Sequence, residues 1–413
     1  MDTVAGGLGM RFIHTSDWHL GHELHDQDRR AEHQAFLGWL LALLRREQPH
    51  ALLIAGDIFH SSNPSAQAVR DWYGFLLEVS RLQTPPQVVV IGGNHDSGPR
   101  LDAPRDLLAS FRVHVVGNPP RTGDKLDPAS MIVPIRDGQG ALVGRVAAVP
   151  YLRPADLPGG EDPDRWIEGA RAVYASVLGA VPGDGLPLVA MGHAYMVGGQ
   201  LSDLSERKIF GGNLHAFPTD IFPPGVAYAA LGHLHRAQKI GGDPRVRYSG
   251  SPIPLALDER DYPHQVRVVE VSQGVAISRA EAVPRLVAMP RFPPEGAATL
   301  VEIETALRAW PDDNPAWMEV CVRDAPGLPD LRAWADEIVA NKRARVLRVG
   351  REGAGPGGAL ADGDGPVDLS QWQADDILRH LWSTRHPSDE LPATLRADFH
   401  DLHALALAME NEA

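Results

Sequence analysis

Five times between Arg11 and His235, a short run rich in valine, isoleucine, leucine and alanine is followed at once by a side chain able to bind a metal. The runs are Arg11–His14, Ala51–Ala55, Gln87–Ile91, Leu188–Met191 and Ala227–Leu231. They lead, in turn, to Asp17 and His19, to Asp57, to Asn94-His95-Asp96, to His193, and to His233 and His235. Apolar runs this short predict buried strands. Arg112–Val116, Arg145–Val149, Arg245–Tyr248 and Gln265–Val271 are further strand candidates. Between the first strands, Arg30–Glu47 and Gln67–Leu82 carry apolar residues at helical spacing, with Phe36, Leu37, Leu40, Leu41 and Leu44 in the first. The alternation predicts a layered α/β domain, its sheet buried between helices. In such sheets ligands gather outside the carboxyl ends of the strands, so distant residues converge on one rim. A glycine precedes Asp57, Asn94, His193 and His233 and is expected to free the turn that leaves each strand.

Asp17, His19, Asp57, Asn94, His193, His233 and His235 mix carboxylate oxygen, amide oxygen and imidazole nitrogen, a set suited to Mn²⁺, Fe²⁺ or Zn²⁺ rather than to Ca²⁺ or Mg²⁺. Seven ligands are too many for one four-coordinate ion and too few for two separate closed sites. A bridging Asp57 resolves the count: one ion takes Asp17, His19, Asp57 and His235, the other Asp57, Asn94, His193 and His233. Two ions so linked can clamp a phosphoryl group for hydrolysis of a phosphate ester. The neutral amide of Asn94 ligates without adding a further negative charge beside Asp57, which keeps the site attractive to phosphate. Each Gly-Asp or Gly-His alone is an ordinary turn; five in order, each behind an apolar run, carry the reading. Cys321, the single cysteine, lies far along the chain. It excludes a thiolate nucleophile at this rim and a disulfide framework, and fits a reducing compartment.

Past residue 285 the texture changes. Pro284, Pro290, Pro293 and Pro294 precede a helix, strand, helix, strand pattern over Thr299–Trp310, Trp317–Val322, Asp330–Ala340 and Arg345–Val349. The expected organisation is an extension over 1–10, a catalytic body over 11–285, a small α+β capping domain over 286–350, a Gly/Ala/Asp/Pro linker over 351–367 and a helical tail over 368–413. Leu391, Leu395, Phe399, Leu402, Leu405 and Met409 form an apolar stripe in the tail, which either folds back on the body or docks on a partner. The strongest apolar run, Phe36–Leu44, is too short to cross a bilayer and Met1–Met10 shows no signal peptide, so a cytoplasmic protein without a membrane partner is expected. The net charge of −14 argues at first against nucleic acid. From Arg351 onward, however, four basic residues stand against twelve acidic ones, and the body from Arg11 to Arg285 is nearly balanced, 27 against 30. The acidity therefore belongs mostly to the tail.

The series D-x-H, G-D, G-N-H-D, G-H and G-H-x-H resembles the calcineurin-like metallophosphoesterase superfamily. HTSDWHLG (His14–Gly21), EHQAFLGWLL (Glu32–Leu41), AFPTDIFPP (Ala216–Pro224), LGHLHRAQ (Leu231–Gln238) and VRYSGSPIPL (Val246–Leu255) are similar, more narrowly, to the SbcD family of bacterial nucleases. The resemblance covers Met10–Val271 closely. It implies a four-layer sandwich of two central β-sheets flanked by helices, and a Mn²⁺-dependent exonuclease on double-stranded DNA that also cuts single strands and hairpins. It implies the same seven ligands, two Mn²⁺ ions, a homodimer, and an SbcC-type ATPase gripped by the tail. It makes His95 the catalytic histidine, and it places His60 where some members carry a histidine that handles the DNA backbone and others an aspartate. Asp96 is either the carboxylate partner of His95 or a turn cap. His22, His25 and Asp26 lack motif support and are read as solvated loop residues. The Arg-Gly that follows the second motif in protein phosphatases is absent, since Ile58-Phe59-His60 stands there. A cyclic-nucleotide phosphodiesterase would not need the residues beyond the body.

Overall fold

The computed structural model describes residues 9–158, 165–200, 202, 216–323 and 330–352, with isolated positions between 378 and 399. The first half supplies β1 (Met10–Thr15), α1 (Arg30–Glu47), β2 (Ala51–Ala55), α2 (Ala66–Ser80), β3 (Gln87–Ile91) and β4 (Val113–Val116). Then come β5 (Ile132–Arg136), β6 (Leu142–Ala148), α3 (Trp166–Gly179), β7 (Leu188–His193), β8 (Tyr228–Gly232), β9 (Gln238–Lys239) and β10 (Val246–Tyr248). A hairpin of β11 (Gln265–Ser272) and β12 (Val275–Ala282) returns to the first sheet. That sheet has the order β12-β11-β1-β2-β3-β4, and the second β9-β10-β8-β7-β6-β5. In each, a parallel centre (β1 to β4; β6, β7, β8 and β10) is bordered by antiparallel strands.

Alternation along the strands decides the layers. Leu52 and Ile54 of β2 face α1 and α2, where Phe36, Leu40, Trp72 and Phe75 complete one core. Leu53 and Ala55 face the second sheet, in a core that reaches Val173, Tyr174 and Val177 of α3. The expected four-layer sandwich is thus α1/α2, sheet, sheet, α3. All nine strand candidates are strands. Four elements of the body, β5, β9, β12 and α3, go beyond those expected: β12 is an edge strand whose Val275 and Ile277 are exposed, so its apolar pattern reports no core.

His14 joins the sheets. Its Nε2–H donates to the Leu231 carbonyl at 3.1 Å and its Nδ1 lies 3.1 Å from the Tyr228 hydroxyl, both on β8. Burial lowers its pKa to about 3, and burial likewise lowers that of His33, whose Nε2–H donates to the Trp18 carbonyl, to about 3. Both rings are neutral in the fold, whereas in the unfolded chain they gain a proton near pH 6.5. Their contribution is whole above pH 6.5 and is lost progressively as pH falls toward 3. Urea midpoints should therefore decline from about pH 6.5 downward, and His14→Gln should flatten that decline; an unchanged slope in the variant would refute the assignment.

After the body, β13 (Arg291–Phe292), α4 (Leu300–Ala309), β14 (Ala316–Val322), α5 (Leu331–Val339) and β15 (Ala344–Arg351) form a unit with its own core around Met318, Val320 and Val346. Thr299 begins α4 with a reciprocal cap: its hydroxyl accepts from the Glu302 amide while the Glu302 carboxylate accepts from the Thr299 amide. The expected helix, strand, helix, strand pattern gains β13 in front, and the three strands run parallel. The tail stripe and the linker lie outside the described residues, apart from Arg351, Glu352 and isolated positions such as Leu391, Leu395 and Phe399. No described helix is long and apolar enough to cross a membrane.

Candidate metal centre

The five segments meet at one rim, three from the first sheet and two from the second. Register aligns the strand ends: Ala55 pairs with Ile91 and His193 with Gly232. Beyond the strands the loops stay zipped together, with Asp17 N donating to Gly56 O at 3.1 Å, His19 N to Asp57 O at 3.0 Å and Leu20 N to Ile58 O at 2.9 Å. Trp18 anchors the first loop. Its fully buried indole packs edge-on against Phe36, Trp72 and Phe75, leaving Asp17 and His19 on either side of it for the rim.

The ligating atoms of Asp17, His19 and His235 lie within 4.8 Å of one another, and so do those of Asp17, Asp57 and His193. Asp57 Oδ2 is 3.5 Å from His19 Nε2 and 3.3 Å from His193 Nε2, so it stands between the two groups. Asn94 Oδ1 is 2.9 Å from both His193 Nε2 and His233 Nδ1. The structure thus brings together all seven residues. His193 donates its Nδ1–H to the Ala55 carbonyl at 2.8 Å, which leaves Nε2 facing two oxygens that are both acceptors. Only a cation, a proton or a metal ion, satisfies that meeting. The electrostatics agree. Burial works against a charged His193, yet Asp57 outweighs it and pushes the pKa up to about 9. Burial alone would raise Asp57, but His193 and His19 hold it well below the usual carboxylate range. Burial lowers His233 to about 3 and depresses His19 strongly. His19 Nε2 is buried without any hydrogen-bond partner. Buried polar nitrogens seldom lack one, and here the donor set fits divalent cations.

Backbone strain sits on the candidate ligands themselves. Asp17 (φ 54°), His19 (φ 46°), Asp57 (φ 49°) and His233 (φ 103°) all have positive φ, a conformation that L-residues adopt rarely and that clusters at functional sites. This corrects the expectation for the preceding glycines. Of the four, Gly56 alone has positive φ; at the others neighbouring atoms leave no room for a Cβ, the Tyr174 hydroxyl at Gly192 among them. At Gly93 a Cβ would lie 2.1 Å from Asp57 Oδ1, and at Gly232 it would lie 1.9 Å from Ala55 O. Gly93→Ala is therefore expected to displace the Asp57 carboxylate and lower divalent-metal content with most of the fold retained. Gly38→Ala on α1, where nothing is within 4 Å, should be neutral or stabilising by about 0.5–1 kcal/mol. Metal analysis and urea titration of the two variants check this contrast.

His95 and His60 border the same centre. The His95 amide donates to Asp57 Oδ1 at 2.8 Å, and its ring Nδ1–H donates to the His60 carbonyl at 2.8 Å. The ring stands 4.8 Å from His19 and stacks on His60 at 5.6 Å. Asp96 caps the turn and is not the partner of the His95 ring: its carboxylate accepts the Ile58, Phe59 and Gly93 amides at 2.9 to 3.2 Å. Burial, with Asp57 nearby, pushes its pKa up to about 7. His22 is also corrected. It is buried, and its ring meets His60 edge-on at 4.6 Å, whereas His25 and Asp26 are exposed as read. Glu259, whose carboxylate meets His235, is a site residue that no sequence motif marks.

Two sheets that share one rim of carboxylate, amide and imidazole ligands define a calcineurin-like phosphoesterase, and the profile of that family matches residues 10–237. A second profile, the Type 5 capsule protein repressor C-terminal domain, matches residues 285–386. The chain is 43% identical to the SbcD component of the SbcCD nuclease of Rhodobacter capsulatus over 307 residues, 72% of this chain and 75% of that protein. It is 35% identical to the Escherichia coli K12 counterpart, with 83% and 85% of the two chains covered, and 31% identical to that of Bacillus subtilis 168, with 77% and 80% covered. The chain belongs to the SbcD family of metal-dependent nucleases.

Proposed function

We propose that this chain is a Mn²⁺-dependent DNA nuclease, exonucleolytic on double-stranded ends and endonucleolytic on single strands and hairpins, acting with an SbcC-type ATPase in end processing, repair and recombination in the cytoplasm. The observation that carries the metal reading is His19 Nε2, buried, unpartnered and 3.5 Å from the Asp57 carboxylate. Asp17, His19, Asp57 and His235 would hold one ion, and Asp57, Asn94, His193 and His233 the other. Bound there, the ions would supply Lewis-acid activation of the phosphodiester and of water. The chain's own part is to place the acid. With Nδ1 committed to the His60 carbonyl, the His95 proton able to move is on Nε2, and in this reading it goes to the leaving 3′ oxygen. His60 orients His95 through its carbonyl and stacked ring.

The proposed organisation is a nuclease body over 11–285 behind an extension over 1–10, a capping domain over 286–350, a linker over 351–367 and a docking tail over 368–413. Exposed Tyr73 and Leu77 on α2, with Leu107 and Phe111 beyond it, support a homodimer face. End-labelled duplex and hairpin DNA should be cut with Mn²⁺ and left intact after chelation. Hydrolysis of a cyclic mononucleotide with no action on DNA would overturn the reading. Removing residues 368–413 should abolish capture of the SbcC-type partner while Mn²⁺-dependent nicking of single strands persists; a truncated chain that still binds would refute the docking role.

A further inference from the structure

His235 is held from behind by a carboxylate that lies 24 residues further along the chain. Its Nδ1–H donates to Glu259 Oε1 at 2.7 Å, while Glu259 Oε2 accepts the Leu255 amide at 2.7 Å. Both oxygens are thus engaged, and the Glu259 side chain is entirely buried. The turn that bears it is pinned on several sides. Arg29 donates to the Pro254 carbonyl at 2.7 Å, His264 Nε2–H to the Glu259 carbonyl at 3.0 Å, and Arg260 pairs with Glu319 of the small parallel-stranded unit. A buried carboxylate is costly unless it is paired and hydrogen-bonded, and here the His235 imidazole and the Leu255 amide supply that.

We propose that Glu259 is a positioning residue for metal binding: by holding Nδ1–H it fixes the His235 tautomer and ring plane, leaves Nε2 as the electron-pair donor, and makes that nitrogen more basic. The proposal rests on the reading of His235 as a ligand. A carboxylate behind a ligating histidine typically governs metal affinity by about 10–100-fold. His193, assigned to the other ion, gives its Nδ1–H to the uncharged Ala55 carbonyl at 2.8 Å, so the effect should fall on the ion that His235 serves and spare the other.

The test is Mn²⁺ titration of the full chain by calorimetry, with Glu259→Gln, Glu259→Ala and His235→Ala alongside. Glu259→Gln keeps shape and an acceptor oxygen but loses the charge. It should weaken one of two binding steps by about 10-fold and Glu259→Ala by up to about 100-fold, with the other step unchanged. The new NH2 of Glu259→Gln must face the Leu255 N–H, so the metal-free Gln variant should also lose some stability; the positioning role is read from one weakened step beside one native step in the folded variant, a split that a merely structural role would not give. Native affinity at both steps in Glu259→Gln and Glu259→Ala, with His235→Ala weakened, would overturn the positioning role and leave the ligand reading standing. Native affinity in His235→Ala would instead overturn the ligand reading and the proposal with it. If the Ala variant fails to fold, the Gln variant decides.

Discussion

Replacing His95, the proposed acid, with alanine is expected to slow metal-dependent DNA cleavage by about 10²–10⁴-fold, the usual share of a positioned general acid, while the metal content is retained. The separation follows from how the residue is attached. Its contact with the Asp57 carboxylate is made by the backbone amide, at 2.8 Å, and that amide survives the substitution. Only the ring is lost, with its Nδ1–H bond to the His60 carbonyl and the Nε2 proposed to deliver the proton. Single-turnover rates on a labelled hairpin, read together with Mn²⁺ content, test both halves. A rate within a few-fold of the parent would sink the acid assignment, and lost metal would show that His95 is part of the ligand scaffold. Asp96→Asn should behave differently. Its carboxylate accepts three backbone amides that shape the Asp57 and Asn94 loops, so damage there should reach metal content as well as rate.

The second large effect concerns stability. Arg29 is fully buried and forms a two-pronged pair with Glu32, one bond of which is 2.8 Å. Arg29 also donates to the Pro254 carbonyl, and Glu32 accepts from the Trp317 indole at 3.2 Å. This pair therefore ties the start of α1 to the turn bearing Glu259 and to the small parallel unit. Removing one partner strands the other charge in the interior, and Arg29→Met or Glu32→Leu alone should each cost about 3–5 kcal/mol. Replacing both with apolar residues of similar volume, Arg29→Met with Glu32→Leu, should cost less than either single change, because no lone charge remains. Urea midpoints for the four proteins complete the cycle. A double variant as unstable as the sum of the singles would show that the hydrogen bonds to Pro254 and Trp317, rather than the ion pair, dominate.

Much of the rim is legible in the sequence because its grammar is local. A buried strand needs a run of apolar residues, and the side chain that follows must leave the sheet, so Asp17, Asp57, Asn94, His193 and His233 announce themselves by what precedes them. Helix α1 matches its expected bounds because its apolar stripe and its termini are written within 18 residues. Elements without so clear a one-sided pattern escape sequence reasoning. Strand β12 lies at an edge with exposed apolar residues, and α3 packs on the outer face of the second sheet.

The sequence by itself determined the layered α/β order, the seven candidate donors and the chemistry that such a donor set favours, because donor type and strand-end position are properties of neighbouring residues. Tertiary structure alone decided how they are used. It placed the strain on the ligands rather than on most of their glycines, and it gave Asp96 to three backbone amides instead of to His95. It buried His22 against His60, and set Glu259 behind His235. Apart from the Gly93 amide on Asp96, these contacts join residues 24 or more positions apart, brought together by the two sheets and their loops. Hydrogen bonds and close packing act over short distances in space and leave no period in the chain.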